Sequence, residues 1–191
     1  VLKNINLTIK KSNKVIVTGD SGSGKSTLFK IIKGYYKDYK GSITINNNEV
    51  KDYNFDDITY VSQKETLFTG TLIDNLNLKH SNSISKQICE IEEFLKNNYQ
   101  LIEEDGFNLS GGQKQRIVLA RALNNFNILI IDEGLNQVSV DMERRILKKL
   151  FDNYYDKTII YISHRLDNLD LFDKFIKIKD GKVVVDVMRN N

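Results

Sequence analysis

The sequence predicts an α/β fold with a mainly parallel sheet, and three observations carry that prediction. Lys14–Thr18 (KVIVT), residues 128–131 (ILII) and Thr158–Ile162 (TIIYI) are short apolar runs. Near-continuous apolar runs read as strands buried on both faces of a sheet. Helical patterns separate them, over about 25–35, 110–123 and 141–151, and alternating strands and helices give parallel neighbours joined by crossovers. Finally, KVIVT runs straight into a Gly-rich turn at Gly19 and then into a helix.

The remaining elements follow in chain order. Residues 1–9 (VLKNINLTI) alternate apolar and polar, which predicts a half-buried strand. Residues 42–45 with Val50 predict a hairpin turning on the intervening asparagines. Residues 58–62 (ITYVS) predict a further strand. From about 66 to 98 the pattern turns helical and more polar, which predicts an inserted helical subdomain. Residues 165–171 predict a short helix, and Lys174–Lys179 with 182–187 a closing pair of strands. There is no internal repeat and no low-complexity linker.

Residues 19–27 read GDSGSGKST, a match to G-x-x-x-x-G-K-[ST] set between a strand and a helix. Glycines let the backbone wrap closely round phosphate oxygens, and the N–H groups and dipole of the following helix favour an anion. The candidate phosphate ligands are therefore Gly19, Asp20, Ser21, Gly22, Ser23, Gly24, Lys25, Ser26 and Thr27. Lys25 supplies a point charge to β- and γ-phosphates, and the Ser26 hydroxyl can ligate Mg²⁺. A chance match in a chain this long is on the order of one in a hundred, so a Gly/Ser turn without function is the weaker reading.

Two carboxylates, Asp132 and Glu133, close the apolar run in ILIIDE. Ligands bind at the carboxyl ends of strands in open α/β sheets. Asp132 is placed to hold Mg²⁺ through water, and Glu133 to polarise a water attacking a γ-phosphate. Acidic residues also end strands as plain helix caps; the phosphate loop decides for the functional reading. Residues 109–113 read LSGGQ, followed by KQR and an apolar helix. There Ser110 caps a helix whose glycines leave N–H groups free to meet a phosphate.

With these motifs the chain resembles the ATP-binding cassette (ABC) ATPases over nearly its whole length. The resemblance implies a P-loop NTPase with a mainly parallel core sheet, an antiparallel β subdomain and an inserted α-helical subdomain at about 66–123, all within one cassette spanning 1–191. It implies ATP and Mg²⁺ as cofactors, and a second cassette paired head to tail. Ser110, Gly111, Gly112 and Gln113 would then act in trans on the partner's nucleotide. Gln63, in YVSQ, matches the glutamine that contacts Mg²⁺ and the attacking water; outside the family it would be a polar strand end. His164, in YISHRL, matches the histidine that contacts the γ-phosphate. The other histidine, His80, has no evident role.

LFTGTLIDNL (67–76), EEDGFN (103–108), DEGLNQ (132–137) and SHRLDNLDLFD (163–173) resemble exporter cassettes, those of bacterial peptide and bacteriocin exporters most of all. That implies ATP hydrolysis powering export through a transmembrane domain, at the cytoplasmic face of a bacterial membrane. Ser139 stands where the family usually has Asp, at the end of the loop that crosses to the partner. The segment between Gln63 and Ser110 is short for an exporter. The family's adenine-stacking aromatic lies upstream of its first strands. Val1 in place of Met, followed by a strand-like pattern, gives the expectation of an N-terminally truncated cassette with weakened base stacking. Two alternatives stay open: an ATP-dependent dimerising module with weak hydrolysis, and a non-transport ABC ATPase.

Composition narrows the classes further. The 191 residues carry a net charge of +3 and contain no proline. No Lys/Arg block of five or more occurs, so the charge reads as a Lys- and Asn-rich coding bias and no nucleic-acid partner is expected. No apolar run approaches the roughly 18–20 residues needed to span a bilayer. Cys89 is the only cysteine. It excludes an intrachain disulfide, fits a reducing compartment, and reads as a structural thiol.

Overall fold

The computed structural model describes residues 2–50, 53, 55–64, 66–76, 83–96 and 101–189. His80 and the end of the helical stretch expected to reach 98 lie outside them. The chain divides into two compact units. One comprises Val1–Tyr60, Phe126–Asp132 and Lys157–Asn191, the other Val61–Asn125 and Glu133–Asp156.

The first unit is built on the apolar runs. Strands β1 (Lys14–Thr18), β5 (Ile128–Asp132) and β6 (Thr158–Ile162) lie side by side and parallel, with β1 and β6 buried at every position. With β4 (Ile58–Val61), β7 (Lys174–Lys179) and β8 (Lys182–Met188) they make a six-stranded sheet of order β4-β5-β6-β1-β7-β8. β7 runs parallel to β1, and β8 returns antiparallel to β7 with a register shift between Lys177 and Ile178. Helix α1 (Lys25–Ile32) presses Leu28 and Phe29 into a core shared with Val15, Val17, Ile130, Ile160, Ile162, Ile176 and Ile178. The expected hairpin forms as β2 (Thr44–Ile45) and β3 (Asn48–Glu49). Asn46 and Asn47 both take positive φ, as a two-residue hairpin turn of this hand requires.

Two expected elements take other forms. Residues 2–10 belong to no ladder among the described residues. Leu2, Ile5, Leu7 and Ile9 do pack against the core, and Lys3 N–H donates to Gly181 O at 2.8 Å. The alternation thus reports a half-buried unpaired segment, not a paired strand. Residues 165–171 hold only a 3₁₀ turn, Leu169–Leu171, instead of a helix. Asp and Asn side chains compete with helical backbone bonding, and Asp167, Asn168 and Asp170 crowd this stretch.

The second unit is helical: α2 (Leu72–Leu76), α3 (Ser83–Ile88), α4 (Glu92–Lys96), α5 (Gly111–Ala122) and α6 (Val140–Asn153). Ser110 caps α5 in a full capping box: Gln113 N–H donates to Ser110 Oγ at 3.2 Å, and Ser110 N–H to Gln113 Oε1 at 2.7 Å. Ser139 caps α6, its hydroxyl accepting from Met142 N–H at 3.3 Å. Ser and Asp are near-equal N-caps, so the Ser139 departure keeps the local helix start intact. α3 ends in a Schellman motif, with Ile91 N–H bonded to Lys86 O and Glu90 N–H to Gln87 O around a left-handed Glu90 at φ 52. Cys89 is fully buried, and burial pushes its thiol far above its ordinary range, leaving it inert. Among the described residues no helix is long and apolar enough to cross a membrane.

Candidate functional site

β1 ends at Thr18 and the chain turns on Gly19, which only glycine can occupy. Its φ is 148, and a Cβ there would lie 2.0 Å from the backbone oxygen of Ile178. Gly22 and Gly24 also take positive φ, at 79 and 102. Gly24 is the N-cap of α1 and makes no side-chain cap bond, so no side chain competes for the first-turn N–H groups. Lys25 is buried, and its Nζ donates to Gly19 O at 2.7 Å and Asp20 O at 2.9 Å. The ammonium is thereby held inside the curve of the loop. Ser23 Oγ is buried with no hydrogen-bond partner among the described residues, and such a group calls for an unseen polar neighbour. A close-wrapped backbone, a cation pinned within it and an unpaired buried hydroxyl fit a phosphate chain.

Strand register gathers further residues at the same edge. Val17 and Asp132 both pair with Ile162. The loop after β1, Asp132 at the end of β5 and His164 just beyond β6 therefore share the carboxyl edge of the sheet. His164 is exposed there. Asp132 is buried and accepts a hydrogen bond of 2.5 Å from the Tyr60 hydroxyl. The Ser26 side chain acts on the same phenol. Burial, and then the hydrogen bond to Asp132, push the Tyr60 phenol well above its ordinary pKa, so it stays a donor. Ser26, Tyr60 and Asp132 form one oxygen-rich cluster of hard ligand chemistry. Among the described residues no three His, Cys, Asp or Glu side chains gather as a metal cage. A hydroxyl, one carboxylate and substrate phosphates are the donor set that suits Mg²⁺.

In the second unit Gln63 and Glu133 are brought together, with Gln63 Nε2 donating to Glu133 Oε2 at 2.7 Å. Glu133 takes a left-handed φ of 55, a strained conformation of the kind that collects at functional sites. The LSGGQ turn lies in the same unit. A Cβ on Gly111 would come 1.6 Å from Gln137 Oε1, and one on Gly112 3.0 Å from Gln137 O. Both glycines thus pack closely against Gln137 of their own chain.

Two residues escape the sequence reading. Tyr60 lies inside the quoted YVSQ string, yet its partner Asp132 is 72 residues away. Gln115 lies inside KQR, and its amide reaches Glu133 O, Asn136 Oδ1 and Gln137 N. The visible signal for each is a polar residue inside a motif string.

Comparison with known proteins gives the family and the fold. The family model for ABC transporter matches residues 2–136. The chain is 38% identical over 200 residues to the Lactococcin transport/processing ATP-binding protein LcnC-like of Lactococcus lactis subsp. lactis (strain IL1403), covering 96% of this chain and 28% of that protein. It is 34% identical over 202 residues to the Pediocin PA-1 transport/processing ATP-binding protein PedD of Pediococcus acidilactici, covering 96% and 28%. Among solved structures, a bacterial Atm1-family ABC exporter with ATP bound superposes with a TM-score of 0.91 at 25% identity, over 98% of this chain and 36% of that one. The chain therefore spans 28% of the length of these curated relatives, and its fold is the P-loop NTPase α/β fold of exporter cassettes. The matched residues 2–136 include the phosphate loop, the LSGGQ turn and the carboxylate strand, and on that ground the chain belongs to the ABC transporter family, as an ATP-binding domain.

Proposed function

We propose that this domain hydrolyses ATP with Mg²⁺ to power export of a substrate, a peptide by class, through a transmembrane domain, two cassettes pairing head to tail. The observation that carries the reading is the carboxyl edge of the sheet, where a phosphate loop with a pinned Lys25 shares its position with Asp132 and His164. The relatives' names, two of them for lactococcin and pediocin transport and processing, support the export role and the peptide class.

In this reading Lys25 and the loop amides bind the β- and γ-phosphates, and Gly24 at the helix start leaves α1's dipole aimed at them. Ser26 and Asp132 would hold Mg²⁺, with Gln63 contributing from its strand end. When bound, the ion neutralises charge developing on the phosphate oxygens. Glu133 accepts the proton of the attacking water, and the Gln63 amide fixes its carboxylate for that role. His164 contacts the γ-phosphate. Ser110, Gly111, Gly112 and Gln113 present their helix terminus to the partner's nucleotide, a task their capping box keeps rigid. Ser139 would favour a binding-only module if it broke the loop it ends, but it caps α6 as Asp would.

Glu133→Gln tests the assignment. The amide keeps the shape and retains a group for Gln63, but removes the base. ATP affinity is expected to stay within about twofold, while steady-state turnover falls by about a hundredfold or more. Turnover at the wild-type rate in that variant would remove Glu133 from the mechanism.

A further inference from the structure

We propose that the signature helix also serves its own chain: Gln115, on α5, is a positioning residue that holds the loop carrying Glu133. The inference rests on the role proposed for Glu133. That loop, residues 133–138, includes two long turn bonds. Asn136 N–H reaches Glu133 O at 3.4 Å and Val138 N–H reaches Leu135 O at 3.3 Å. It must nevertheless keep Glu133 in a left-handed conformation that a non-glycine residue adopts only under constraint.

One amide, used at both ends, adds to that constraint. Gln115 Nε2 donates to Glu133 O at 3.3 Å and to Asn136 Oδ1 at 2.5 Å. Its Oε1 accepts from Gln137 N–H at 2.8 Å. The Gln137 side chain then lies across the start of α5, where only glycine at 111 leaves it room. The loop is therefore held along its length by the turn that carries LSGGQ. Any shift of that helix end moves the Glu133 carbonyl in the same chain, so the segment that would clamp a partner's nucleotide also sets the geometry of its own base.

Gln115→Met keeps length and volume and removes every amide bond. It is expected to speed hydrogen exchange at the Gln137 amide by at least about tenfold. It is expected to lower kcat by about tenfold with KM for ATP unchanged, because the phosphate loop is untouched. Gln115→Glu retains an acceptor for Gln137 N–H but no donor for Glu133 O. It should keep the Gln137 amide protected while lowering kcat as Met does. Wild-type exchange at Gln137 in the Met variant, or wild-type kcat in both variants, would overturn the proposal. So would faster exchange spread evenly over 61–125, which would make Gln115 a general support of the helical unit. If the wild-type domain hydrolyses no ATP, the function reading fails, and exchange at Gln137 still decides whether the clamp exists.

Discussion

Asn75 is fully buried in a stretch whose pattern says only polar helix. Its Oδ1 accepts from Phe68 N–H at 2.8 Å, and its Nδ2 donates to Phe68 O at 2.8 Å and Thr71 O at 3.1 Å. One side chain thus satisfies the backbone of the segment before α2, as a neighbouring strand would. Asn75→Ala leaves those buried groups without partners. It is expected to lower stability by about 2–3 kcal/mol in urea unfolding; a loss below about 0.5 kcal/mol would mean the segment finds other partners. Residues of this kind are hard to read from sequence, because nothing local marks the backbone they satisfy. Lys25 and Gly19 are easy for the opposite reason. Phosphate chemistry demands those residue types at that spacing, whatever the rest of the fold does. Tyr60 and Gln115 fall between the two: the motif strings contain them, but their partners are fixed only once the chain folds.

At the scale of elements, α3 and α6 are tied through Glu90. Its carboxylate accepts from Arg145 Nε at 3.1 Å and Lys149 Nζ at 2.8 Å, both on α6. The Arg145 hydrogen bonds, with smaller help from Lys149 and against partial burial, hold the Glu90 pKa below its ordinary 4.5. A carboxyl depressed on folding contributes stability that is present above its unfolded pKa and lost as pH falls through the folded one. Glu90→Gln should therefore lower Tm at neutral pH and flatten its fall below about pH 4.5. Melting curves from pH 7 to 3 measure this, and parallel slopes for variant and wild type would refute it. Elements were legible where one physical demand dominates. KVIVT, ILII and TIIYI are buried on both faces and form strands. Residues 1–9 misled because alternation records which side chains are half-buried, and unpaired chain lying on a core alternates as a paired strand does. Residues 165–171 misled because helical spacing of apolar side chains does not outweigh Asp and Asn that favour turns.

For the molecule as a whole, the motifs describe two half-sites in one chain. The first unit holds the phosphate loop with Asp132 and His164 at the sheet edge; the second holds LSGGQ, together with Gln63 and Glu133, whose proposed roles serve the chain's own ATP. The family resemblance, carried by two local strings, implies this division of labour. The cross-links within each unit, Tyr60 to Asp132 and Gln115 to Glu133, come only from the fold. The central claim is that a working site joins the phosphate loop of one copy to the LSGGQ of another. Mixing two inactive variants tests it directly. Lys25→Ala lacks phosphate binding and Gly112→Asp places a negative charge where a partner's phosphate would sit, so each alone should release no phosphate from ATP. In the mixture, hybrid dimers carry both lesions in one site and leave the other intact, and phosphate release is predicted to return. A mixture as inactive as its components, with hybrid dimers demonstrated by sedimentation, would contradict the account.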